Sequence, residues 1–209
     1  MLTPAVTSAR FILRRHRLCL QDFDRYCVMV DLSRRVNVGE SMANKSWTTD
    51  EFQHVLAVHT SQLRSMRNMP KQRRLGKVQV RSIDFCGSCT PHPEHVLKQV
   101  TDRLPTIAFR RNEELLSVIK GASRKLDRSP KDVAEFVEHL TFLDKMGSEM
   151  AALEREFDIV TKMYTICKDF NVDVEPEELA LYQTLAPSFQ HLKVSARLFL
   201  NWVLLHIRY

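Results

Sequence analysis

Glycine and proline are scarce, with 5 and 8 among 209 residues. Folds built from many short strands need that punctuation at their hairpins and turns, so the composition excludes them in favour of helices. Gly76, Gly87, Gly121 and Gly147 stand alone, and neither a GxxxxGK[ST] loop nor a GxGxxG fingerprint occurs. No run of backbone amides is available to wrap a phosphate, and an independent nucleotidase is not expected. A long hydrophobic run is also missing. The most apolar stretch, VSARLFLNWVLLHIRY at 194–209, is interrupted by Asn201 and falls short of the about 20 residues that span a bilayer, so no transmembrane span is expected. Its apolar residues surround the helix nearly all round, which predicts a sticky, poorly satisfied helix. The five cysteines are an odd number without a secretion signal, which points to a reducing compartment. Cys19, Cys27 and Cys167 sit in apolar surroundings and read as small buried hydrophobes.

Apolar residues make up 44% of the chain, enough to bury the core of one or two small domains. Charge is divided unevenly. Residues 1–83 hold 15 Lys and Arg against 6 Asp and Glu, whereas 129–193 hold 6 against 13. Such a basic half fits an acidic partner such as nucleic acid, anionic lipid or tubulin, or else balances the acidic half of one assembly. No aromatic-rich platform accompanies the arginines, which favours the second reading. Arg10, Arg14, Arg15 and Arg17 share the first 21 residues with no acid, a composition common to mitochondrial presequences and to ordinary basic amphipathic helices.

Helical spacing is approximate over Ala9–Val30, and Asp31–Trp47 reads as a loop. Thr48 with Glu51 fits a capping box, and Phe52, Val55, Leu56, His59, Leu63 and Met66 then share one face before Pro70. Lys71–Gly76 reads as a basic turn. Val78 and Val80 alternate with polar residues and lead to Ile83 and Phe85, a single strand signal that must pair with something absent from this sequence or lie across helices as a strap. Cys86–Pro93 reads as a loop. A short helix through Val96, Val100 and Leu104 is ended or kinked by Pro105, and a second carries Leu115, Leu116, Ile119, Ala122 and Leu126. Ser129 and Pro130 predict the N-cap and first position of an acidic helix reaching Asp169, with Gly147 inside it or bending it. Along that helix Phe136, Leu143, Met150, Phe157 and Tyr164, together with Met146, Leu153, Val160 and Cys167, form a packing seam. Pro176 opens a last helix whose face holds Leu181, Leu185, Phe189 and Leu192, with Pro187 kinking it. The expected class is an all-α, elongated helical bundle with at most one short strand segment.

Chemistry has few candidates. Cys86, Cys89, His92 and His95 are four potential ligands, two thiolates and two imidazoles, that zinc accepts, spaced by three. Zinc modules normally separate their two pairs by a dozen or more residues so that the chain can wrap the ion, and here Pro91 and Pro93 stiffen the link. A polar loop is the preferred reading, with no metal or cofactor expected. Cys86 or Cys89 with His92 lacks any identifiable oxyanion cradle or orienting acid. His59 and His139 lie on apolar stripes and read as hydrogen-bonded histidines at the core edge.

The run VAEFVEHLTFLDKMGSEMAALEREFDIVTKMYTICKDFNVDVEPEELALYQTLAPSFQHLK, Val133 to Lys193, resembles axonemal-type dynein heavy chains where the tail passes into the linker. The family pattern of an EFVExLxFLD helix, an FxxVxxxY helix, a PxEELxxYQxL turn and helix and an aromatic before a closing Leu is met at Glu135–Asp144, Phe157–Tyr164, Pro176–Leu185 and Phe189–Leu192. Asp50–Arg67, Arg73–Asp84 and Asn112–Leu126 resemble family segments less specifically. The resemblance implies a non-catalytic structural segment, a fragment or short form, that couples the tail to the motor ring in ciliary movement. Its implied partners are other dynein heavy, intermediate or light chains, with microtubules reached only through motor parts this sequence lacks, and no small-molecule substrate. The implied location is cytoplasm and cytoskeleton, at the ciliary axoneme. The sequence divides into a basic lead segment (1–47), the dynein-like helical region (48–193) and the hydrophobic tail (194–209). A free-standing adaptor binding a partner helix and a basic-surface nucleic-acid binder are the alternatives.

Overall fold

A capping box opens the first of the described helices in the computed structural model of the chain, which describes residues 47–75 and 78–207. The expected helix at Ala9–Val30, with Cys19 and Cys27, lies outside them. Glu51 N–H donates to Thr48 Oγ1 at 3.3 Å and Thr48 N–H to Glu51 Oε2 at 2.8 Å, starting α1 (Thr49–Arg67). Each bond satisfies an orphan donor of the first turn. Phe52, Leu56, His59, Leu63 and Met66 are buried along one face, as the period predicts, and Trp47 packs its ring 5.3 Å from that of Phe52.

The strand finds its partner in the basic segment before it. β1 (Gln72–Leu75) and β2 (Val78–Arg81) pair antiparallel, Gln72 opposite Arg81 and Leu75 opposite Val78. Lys71–Gly76 is therefore largely strand rather than turn, an outcome that alternation in β2 alone did not signal. The Arg73–Arg74 pair carries no period-2 hydrophobic mark. The strand does not continue through Ile83 and Phe85. These open α2 (Ile83–Cys89), where Ser82 N–H bonds Lys71 O and the Ser82 hydroxyl donates to Pro70 O.

Cys86–Pro93 is likewise helical, not a loop. α2 ends at Thr90, and Pro91 occupies the first position of α3 (Pro91–Leu126), where a missing N–H costs nothing. The helix runs unbroken through Pro105, joining the two helices expected there. Val100, Leu104 and Ala108 are fully buried around the proline, and this burial outweighs one lost backbone bond. The chain divides into two compact units at Val100 and Thr101.

In residues 101–207, α4 (Val133–Asp169) starts later than Ser129 predicts. Asp132 caps it, its carboxylate accepting Glu135 N–H at 2.8 Å, while Glu135 reaches back to Lys131 N–H. An aspartate three residues before a glutamate outcompetes the upstream serine for the cap. Its 37 residues pass straight through Gly147, about 55 Å at 1.5 Å per residue. Asn171, at φ 50°, ends it. Val172 N–H bonds Cys167 O and Asn171 N–H bonds Lys168 O, the paired bonds of a Schellman motif for which asparagine tolerates the left-handed conformation. Pro176 then starts α5 (Pro176–Gln183). The expected kink at Pro187 is instead a break at Thr184. Pro187 falls in the first turn of α6 (Leu185–Ile207), where its lack of a donor is harmless. Among the described residues the class is all-α, a helical bundle with a single two-stranded ribbon. No helix among them is long and apolar enough to cross a membrane.

Candidate functional site

Two groups of side chains were singled out by the sequence, the α4 seam and the Cys86–His95 set. In the seam, Met146, Val160, Tyr164 and Cys167 are buried, whereas Phe136, Leu143, Met150, Leu153 and Phe157 are half-buried. Burial therefore concentrates in the C-terminal half of α4, where Met163 and Ile166, outside the seam, are also buried. The partner is α6. Leu185, Phe189 and Leu192 are buried on it, and the Phe157 and Phe189 rings stack 5.1 Å apart at 17°. Lys193 Nζ lies 2.7 Å from Glu154 Oε1, an ion pair that joins α6 to α4, and 4.6 Å above the Phe189 ring of its own helix. Tyr182 of α5 stacks on Tyr164 at 4.0 Å.

α3 closes the other side. Arg111 Nη1 sits 3.5 Å from Glu156 Oε2, and His139 sets Nε2 at 2.9 Å from Lys125 O while Nδ1 lies 2.9 Å from Glu135 O. Ser195 Oγ donates to Asp127 Oδ1 at 2.8 Å. Nothing in the helical spacing announced the ties of Arg111 to Glu156, His139 to Lys125 O and Ser195 to Asp127, because each joins one element to another. Phe199 and Val203 are buried on α6, while Val194, Leu198 and Leu200 are exposed, so the segment after Lys193 continues the same helix with one face covered.

Burial tunes the ionisable groups here. It pushes the Tyr164 phenol up to about 12, with the Glu178 carboxylate adding to the effect, and the Cys167 thiol up to about 11. Both stay protonated at neutral pH and behave as core-filling groups. The Tyr164 hydroxyl finds no hydrogen-bond partner among the described residues.

The Cys–His set lies in residues 47–100. Cys86 and Cys89 are one turn apart on α2, the Cys86 thiol 3.6 Å from Met66 O and 3.8 Å from Met69 Sδ, while Cys89 packs with Met66 and Phe85. Burial raises the Cys86 thiol, which favours the protonated form over the thiolate that metals and electrophiles require. His92 instead sets its ring 6.4 Å from that of His59, and His95 Nε2 bonds Gln99 at 3.1 Å on the exposed face. Among the described residues no three His, Cys, Asp or Glu side chains gather around one point. His59 is buried with Nδ1 3.0 Å from Gln62 Oε1, and burial holds its imidazole below the ordinary value.

Among the described residues the best-defined geometry is that of the helix joints. No family model matches the chain. It is 23% identical to dynein axonemal heavy chain 14 of Homo sapiens over 176 residues, which are 84% of this chain and 4% of that protein. It is 31% identical to dynein axonemal heavy chain 6 of Homo sapiens over 98 residues, 47% of this chain and 2% of that one. The chain therefore spans a few per cent of the length of the curated relatives it matches, and its helical bundle carries a partial similarity to dynein heavy chains.

Proposed function

We propose that this chain is a non-catalytic structural segment of the dynein heavy-chain type, serving where the tail passes into the linker and coupling the tail to the motor ring. The observation that carries the reading is the similarity to two axonemal heavy chains, which in one case extends over 84% of the chain. The helices support it physically. A segment that transmits force needs long elements whose joints resist sliding, and α4 is held by an aromatic stack, an ion pair to α6 and a histidine bridge. Its partners are then other dynein heavy, intermediate or light chains, its setting the cytoskeleton and the ciliary axoneme, with microtubules contacted through other parts of the motor.

A second reading, a free-standing adaptor that receives a partner helix, draws on Val133 and Val137. These are exposed one turn apart on α4. Tagged full-length chain recovered from ciliated cells separates the two. Recovery with dynein heavy and intermediate chains is the expected result; recovery of a stable complex containing no dynein subunit overturns the first reading in favour of the adaptor.

A further inference from the structure

The connection between α3 and α4 has a feature that force transmission does not use. α3 closes with Asp127 N–H on Ser123 O and Arg128 N–H on Lys125 O, and α4 begins at the Asp132 cap. Between them, 129–131 have no regular structure, and none of these bonds uses the exposed Ser129 hydroxyl. Ser129 lines a cleft of about 650 Å³ together with Lys125, Arg128 and Lys131, opposite Glu135, Glu138 and His139. Pro130 follows it directly.

We propose that Ser129 is a phosphoacceptor for a proline-directed serine/threonine kinase, with Lys125, Arg128 and Lys131 receiving the phosphate. In the transfer, Ser129 Oγ forms a bond to the γ-phosphorus of ATP as the bond to the β,γ-bridging oxygen breaks. ADP leaves, and the hydroxyl proton passes to the kinase's base. Kinases of this class read an acceptor followed by proline in an extended, accessible segment. The chain contains three such pairs, Thr3–Pro4, Thr90–Pro91 and Ser129–Pro130. The first lies outside the described residues. Thr90 is half-buried in a right-handed helical conformation (φ −70°, ψ −34°), its N–H bonded to Cys86 O and its carbonyl to Glu94 N–H. Reaching it means unwinding the joint between two helices. Ser129 needs no such opening.

The electrostatics favour the product. A phosphoserine carries about −1.5 to −2 charge and three acceptor oxygens; three cations line the cleft against the two carboxylates of Glu135 and Glu138, and Glu135 is already engaged by the Lys131 N–H. The main-chain N–H of Lys131 is already held by Glu135, so its ammonium is the group left to pair.

The test treats the full-length chain with a cyclin-dependent kinase and ATP, and locates phosphate by peptide sequencing. Phosphate is expected on Ser129 and absent from Thr90, with the Ser129 label lost in Ser129→Ala and retained in Thr90→Ala. No label on Ser129, or preferential label on Thr90, overturns the acceptor assignment. At low salt the modified chain is expected to melt about 2–4 °C higher, a gain lost in a Lys125→Ala, Lys131→Ala double variant. An unchanged or lower melting temperature, or a gain that survives the double variant, overturns the assignment of the cleft.

Discussion

Residues 47–100 and 101–207 are both helical, yet they are held by different chemistry. In the first unit, short elements meet around sulfur and imidazole. Met66 packs on Cys89 and Phe85, the Cys86 thiol faces Met66 O, and His59 is buried against Gln62 with the His92 ring beside it. In the second, long helices meet through stacked rings, Phe157 on Phe189 and Tyr164 on Tyr182. The contrast teaches where protons enter each fold. The first unit buries a base that must stay neutral, with the partly buried Cys86 thiol raised beside it, whereas the second buries two acids that must stay protonated, so acid sensitivity belongs to the first unit and the larger share of alkaline sensitivity to the second.

The largest expected effect tests whether the aromatic joint holds the second unit. Phe189→Ala should cost about 3–5 kcal/mol in urea denaturation, because it removes a buried ring and leaves a cavity. Phe157→Ala should cost less, since that ring is half-buried. The double-mutant cycle should show coupling of about 0.5–1.5 kcal/mol for the stacked pair. A zero coupling term would mean that the stack is incidental, and the contrast with the first unit would lose its basis.

A smaller effect separates the alkaline limb. The Tyr164 phenol, at about 12, lies above its ordinary value of 10, so it contributes stability that is full below pH 10 and is lost as pH rises through about 12. Cys167 acts in the same direction from pH 9 to about 11. At pH 7, Tyr164→Phe should be neutral or slightly stabilising, because the hydroxyl it deletes is buried without a partner among the described residues. Between pH 9 and 12 the variant should lose less stability than the parent, by up to about 2–3 kcal/mol for a shift of this size. An alkaline limb that is identical in both would show that other groups unfold the chain there.

Much of this was legible in the sequence because helical burial is periodic. The α1 face, the Thr48 cap and the Pro176 start follow from residues a few positions apart, and they stand in the structure where spacing puts them. What failed was local competition. Ser129 and Asp132 both suit an N-cap, and only the reach of Glu135 to Lys131 N–H decides between them. Pro105 and Pro187 both warn of a break, yet one is overridden by burial and the other falls harmlessly in a first turn. The basic strand Gln72–Leu75 has no apolar alternation to reveal it. The polar ties of the second unit, Lys193 to Glu154, Ser195 to Asp127 and His139 to Lys125 O, depend on which helix faces join, information that a single chain of letters holds only implicitly.

The smallest effect concerns the first unit and completes the contrast. His59 is 6% exposed, and burial is the largest influence holding its imidazole below the ordinary 6.5, with the Gln62 hydrogen bond opposing it and His92 and His54 adding to it. A base with a depressed value contributes stability that is present above pH 6.5 and lost as pH falls through its folded value, because the unfolded chain takes up the proton first. His59→Asn is the discriminating variant. Its amide nitrogen occupies the position of Nδ1 and still faces Gln62 Oε1, so the buried glutamine keeps its partner while the titration disappears. At pH 7.5 the cost should be about 1–2 kcal/mol, set by the buried ring atoms that asparagine lacks rather than by the hydrogen bond, which is kept. Below pH 6.5 the parent should lose stability faster than the variant, whereas the alkaline limb, set chiefly by Tyr164 and Cys167, should be the same in both. Parallel acid limbs would show that His59 does not carry the acid sensitivity of the first unit. An altered alkaline limb would show that the two units share one titration, and the separation drawn between imidazole below and phenol above would fail.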